Sequence, residues 1–131
     1  MKNKIILVLT SALKEIKSDA TIYLDSVMQS DKEFYFILSL EHGGADNVGI
    51  NIQNKAWLVD IALVDNVSNN ESKKMVDALI EQCEAFFNVL EIDGNQIFPE
   101  NYQAYSSDGV QHVSFTVAFP QYIEWSELNG N

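Results

Sequence analysis

No arginine occurs in this sequence of 131 residues, and all eight of its basic residues are lysine. Proteins that grip phosphates use guanidinium forks and basic stripes. With 19 acidic residues and a formal charge of −11, this chain repels DNA, RNA and anionic membranes. Nucleic-acid binding as a main task is thereby disfavoured. There is one cysteine, Cys83, so neither an internal disulfide nor a cysteine-rich metal site can form. It falls in an apolar helical pattern and reads as a small buried hydrophobe in a reducing compartment. Two prolines and six glycines exclude collagen-like and linker-like sequence. No run of 18 apolar residues exists, so no membrane-spanning helix is expected.

What is present is core-forming. Hydrophobic residues make up 47% and aromatic residues 11%, which is incompatible with a disordered chain. A chain of this length buries roughly two thirds of its unfolded surface, enough for one core. A single domain over 1–120 with a C-terminal tail over 121–131 is expected.

Residues 3–18 predict an amphipathic helix, because Ile5, Ile6, Leu9, Ala12, Leu13 and Ile16 recur at helical spacing. The short apolar run Ile5–Leu9 resembles a signal-peptide start, but it continues at that spacing and reads as part of the helix. A short strand follows at Thr21–Leu24. Residues 34–41 predict a central strand with two apolar faces. His42-Gly43-Gly44-Ala45-Asp46-Asn47 reads as the turn-rich tip of a hairpin, and residues 50–65 as its long return. The distal part, Gly49 to Lys55, is polar and is expected to project beyond the core. Ser68 and Glu71 fit a capping box opening a helix to about Asn88. Asp93-Gly94 and Asp108-Gly109 are hairpin turns among short closing strands, the last ended by Pro120. The fold class is α+β: a mainly antiparallel sheet with two helices packed on it, in the order α-β-β-β-α-β-β-β.

The search for chemistry is mostly negative. His42 and His112 show no ligand or triad spacing with Cys, Asp or Glu, and read as structural. Gly43-Gly44 and Asp108-Gly109 do not open helices after strands, so they are turns, not phosphate cradles. The many carboxylates read as a solvated surface, although an acid/base pair could assemble in space. No catalytic residue, metal ligand or cofactor is expected. Asp60 stands out inside the apolar run WLVDIALV. Unpaired burial would cost several kcal/mol, so it must face solvent, a partner subunit or a hydrogen-bond donor. Tyr122, Ile123 and Trp125 are large apolar groups in a short polar tail; they are expected to pack on the protein's own helices or on a neighbour.

The stretch IYLDSVMQSDKEFYFILSL resembles the opening of the phage tail terminator family. Its carriers are Ile22-Tyr23, Asp25 with Val27, Gln29, Lys32 and the aromatic strand Phe34-Tyr35-Phe36-Ile37. LEIDGNQI (Leu90 to Ile97), the Asp108-Gly109-Val110 turn and the first helix, Lys4 to Lys17, are also similar. The resemblance covers about residues 3–120. Glu33 stands where members often have proline, and the tail past Pro120 is longer than in the pattern. The family implies a structural, non-enzymatic protein of the virion tail, assembled in the bacterial host cytoplasm. Typically six copies ring the head-proximal end of the tail tube, stop its growth and offer a surface to the head connector. In contractile tails the ring also meets the sheath. The partners implied are further copies of the chain, the tube protein and possible sheath and connector proteins, with DNA passing through the ring but not specifically bound. A head–tail joining protein, or a monomeric acidic module that mimics nucleic acid for a basic partner, are the alternatives. Interface roles are expected for the hairpin (His42, Asp46, Asn47, Asn51, Gln53, Lys55), for Asp60, and for the tail (Tyr122, Ile123, Trp125).

Overall fold

The computed structural model describes residues 2–25, 30–49 and 52–122; for 45–49, 52–54 and 119–122 it describes the backbone pairing alone. Helix α1 spans Lys2–Ile16, strand β1 Thr21–Leu24, β2 Phe34–Gly49 and β3 Ile52–Asp65. Helix α2 spans Asn70–Phe86, followed by β4 Leu90–Ile92, β5 Asn95–Ile97, β6 Glu100–Ser107 and β7 Val110–Tyr122. The α+β class and the order of elements through α2 are as expected; after α2 there are four strands where three are expected. Two of these, β4 and β5, form a separate hairpin.

The main sheet has the order β1-β2-β3-β7-β6. Every pairing in it is antiparallel except β1 with β2, which is parallel. Alternation divides the sheet into two faces. Phe36, Leu38 and Leu40 of β2, Val59, Ile61 and Leu63 of β3, and Val113, Phe115 and Val117 of β7 are buried on one face. Ile5, Leu9 and Leu13, one helical turn apart, bring α1 onto them, and Val76, Leu79 and Cys83 bring α2. Phe87 packs on Phe115 with centroids 5.2 Å apart, and Leu90 and Ile92 of β4 close the core at that end. Both Asp-Gly turns carry positive φ at both residues (53° and 78°, 51° and 79°), as two-residue hairpin turns require.

Three local readings are corrected. The α2 cap is Asn69, not Ser68: the Asn69 side chain accepts from the Ser72 N–H, and the Ser72 hydroxyl accepts from the Asn69 N–H. Ser68 instead takes a left-handed φ of 55°, and both it and Val67 donate their N–H to Asp65, which closes β3 onto the helix start. Gly43-Gly44 is not a hairpin tip but a bulge within β2, between the pairs His42↔Trp57 and Ala45↔Lys55. Gly43 sits in a tight place and Gly44 in the left-handed region that favours glycine. A Cβ on Gly43 would lie 3.2 Å from the Ala56 carbonyl oxygen, and Gly44 has φ +107°. The third correction concerns Pro120, which does not end β7; the strand continues to Tyr122, paired with Ile52.

The register explains Pro120. The Asp25 N–H donates to the Leu38 carbonyl at 2.8 Å, so the backbone groups of Leu38 face β1. Alternation then turns those of its partner Ile61 towards β7, and those of Val113, Val117 and Phe119 back towards β3. Pro120, one residue out of phase, aims its missing N–H away from β3. No strand is broken there, because β6 ends opposite Thr116 and β7 beyond it is an edge among the described residues.

Candidate assembly surfaces

Two regions collect the residues singled out in the sequence. The first is an arm. Among the described residues, the buried core goes no further along the sheet than Leu40, Val59 and Val117. The ladder does go further: β2 and β3 remain paired to Gly49↔Ile52, and β7 follows to Tyr122. From Val59 to Ile52 this arm measures about 24 Å at strand rise. Its three strands have no described partner on either side, because β1 ends opposite Leu38 and β6 opposite Thr116.

Of the expected hairpin residues, His42 lies at the root of the arm, not at its tip. Its ring meets Trp57 edge-on at 4.9 Å, and its Nδ1 accepts the Gly44 N–H at 3.1 Å, which fastens the bulge. Lys55 is half-buried and paired with both Ala45 and Phe119. Asp46 pairs with Asn54, Asn47 with Gln53, and Gln53 also with Gln121. Tyr122 is the last residue of β7. Asn51, Ile123 and Trp125 lie outside the described residues, as do Val27 and Gln29.

The second region is the helix-free face of the sheet. Asp60 sits at its centre, between Ser39 on β2 and Ser114 on β7. Asp60 is hydrogen-bonded there and also partly open to solvent. Tyr105 donates its hydroxyl to Asp60 Oδ1 at 2.6 Å. His112 Nδ1 lies 2.9 Å from Oδ2, an N–H to carboxylate bond in the Nδ1-protonated tautomer. The Tyr105 and His112 rings stack at 4.9 Å and 12°. The Asp60 hydrogen bond, with smaller contributions from burial and the carboxylate charge, pushes the Tyr105 phenol up to about 12.

Residue-by-residue reading missed this trio. His112 is 52 residues from Asp60, and no local spacing links the two. The sequence does hold one signal: all three lie on the non-core phase of their strands. Only the register shows that those phases converge.

Beside the trio, Ser39, Glu41, Leu58, Gln103, Tyr105 and Thr116 help to line a shallow groove of about 500 Å³. Leu58 is 45% exposed there. This face sets fixed polar groups around an exposed apolar one. Among the described residues no three His, Cys, Asp or Glu side chains gather at metal-binding distance, and no helix is long and apolar enough to cross a membrane.

Comparison with known proteins adds one informative match. A family model described as phage tail terminator protein matches residues 4–129. The match runs into the stretch past Pro120 that the sequence resemblance left out. No curated protein matches. One solved structure aligns over 95% of this chain and 97% of its own at 10% identity, with a TM-score of 0.47, too loose a likeness to argue from.

Proposed function

Because the chain belongs to the phage tail terminator family, and so to the structural proteins of tail assembly, we propose that it caps the head-proximal end of a tail tube. In this reading several copies, typically six, close into a ring on the last tube layer. The ring stops growth and presents a surface to the head connector. The protein works through shape and transforms no substrate.

The observation that carries this reading is the family match over nearly the whole chain. The arm supports it. A three-stranded extension with open edges on both sides gives each subunit a means of reaching its neighbour through a heterologous contact, which closes into a ring when the rotation permits. Charge supports it as well. Six copies at −11 each carry −66 per ring, and an acidic bore denies passing DNA a binding surface.

The test uses purified protein and cognate tail tubes imaged by electron microscopy. Extra ring density at one end of each tube is expected. Binding along the tube wall, or no binding, would overturn the proposal.

A further inference from the structure

Strand β1 is one edge of the main sheet among the described residues. The bonding of Leu38 to β1 fixes which β1 groups are used. Thr21 and Tyr23 turn their backbone towards β2, and Ile22 and Leu24 turn theirs outward. Helix α1 runs beside this free edge. Between them lies an open groove of about 860 Å³ lined by Ile6, Thr10, Ser11 and Lys14 of α1 and by Ile22 and Leu24 of β1. Leu24 is 50% exposed. Leu7, 66% exposed, stands on the same side of α1, at i+3, i+4 and i+7 from Thr10, Ser11 and Lys14. A strand edge unpaired among the described residues, beside a helix flank that sets Ile6 and Leu7 among Thr10, Ser11 and Lys14, is the arrangement that accepts an added strand.

We propose that this groove receives the segment after β7, carrying Ile123 and Trp125, from a second copy of the chain, as a strand added to β1. Three observations favour this occupant. The segment YIEW alternates bulky and acidic residues from Ile123, so Ile123 and Trp125 fall on one side of an added strand. Glu127, in phase with Ile123 and Trp125, is complementary to Lys14, whose Nζ also donates to the Ala20 carbonyl and which is the one titratable side chain lining the groove among the described residues. Finally, distance excludes the chain's own segment. Leu24 lies level with Val113 through the pairs Leu24↔Leu38, Leu38↔Ile61 and Ile61↔Val113. Tyr122 is nine residues further along β7, about 30 Å, and three strand spacings across, about 14 Å. Trp125 extends at most about 10 Å beyond Tyr122. The donor is therefore another subunit, and a ring in which each copy gives one segment and receives one is closed. The proposal draws on the capping reading only for its setting.

The test is fluorescence anisotropy of a labelled peptide of residues 119–131 titrated with the full chain. Saturable binding is expected, weakened at least tenfold by Leu24→Lys in the protein and by Ile123→Ser with Trp125→Ser in the peptide. Circular dichroism of the Leu24→Lys protein checks that its fold is kept, which the exposure of Leu24 favours. No binding up to millimolar protein, or binding unchanged by Leu24→Lys, overturns the proposal. Peptide binding without tube capping would overturn the capping reading alone, and capping without peptide binding would overturn this proposal alone.

Discussion

Replacing Asp60 tests whether the helix-free face is organised as described. Asp60→Ala removes the acceptor of both the Tyr105 hydroxyl at 2.6 Å and the His112 Nδ1 at 2.9 Å. A buried hydrogen bond to a charged group contributes roughly 1.5–3 kcal/mol. The Asp60 side chain is 32% exposed and that of His112 18%, so water replaces part of each bond. About 1 kcal/mol per bond, about 2 in all, is the expected loss. For a domain of this size that lowers Tm by roughly 6–10 °C at neutral pH. Thermal unfolding followed by circular dichroism measures it, and a double-mutant cycle with Tyr105→Phe should show a coupling of about 1 kcal/mol. Alkaline titration gives a second readout. The Tyr105 phenol is raised in the folded state, so its stabilisation is complete below about 10, the ordinary tyrosine value. It is lost as pH rises through about 12. In Asp60→Asn, tyrosinate absorbance assigned by difference against Asp60→Asn with Tyr105→Phe should move back towards pH 10. An unchanged Tm in Asp60→Ala, with an unmoved Tyr105 titration, would refute the trio.

Further outcomes follow from other contacts. Asp65 accepts from the Val67 and Ser68 N–H groups and from the Ser72 hydroxyl. Partial burial opposes ionisation, but these bonds and Lys73 hold its carboxyl below the ordinary value. Asp65→Ala should therefore cost about 1–2 kcal/mol in denaturant unfolding. The wild-type advantage should be full above pH 4 and fade as pH falls through the lowered value. Shortening the arm by deleting 45–54 and closing it with Asn-Gly should leave a cooperative melt but abolish ring formation in mass measurement; loss of the fold itself would show that the arm belongs to the core. Cys83 is fully buried and its thiol is pushed up to about 12 by burial. A thiol reagent should leave it unmodified in the native protein and label it on unfolding.

How far the sequence revealed this molecule depends on the range of the interaction. Both helices were legible because Ile5, Leu9 and Leu13, and Val76, Leu79 and Cys83, repeat at helical spacing. The Asp-Gly hairpins were legible because two consecutive positive φ values demand that chemistry. Gly43-Gly44 was misread as a tip because glycine signals a bulge and a turn alike, and only the pairing of His42 with Trp57 separates them. Pro120 was misread as a stop because its harmlessness depends on where β6 ends, a fact about another strand. The parallel pairing of β1 with β2 had no local signal. The Asp60 trio likewise arises from register between β3, β7 and β6. Within the candidate surfaces, single residues could be named in advance, but not their companions.

The central claim is that this protein ends a growing tube. The measurement that meets it most directly is the length distribution of tails, imaged by electron microscopy, from particles made with and without the protein. The account predicts a narrow distribution with the protein present, and overlong, uncapped tubes of variable length without it. Tails of normal, uniform length in its absence would contradict it.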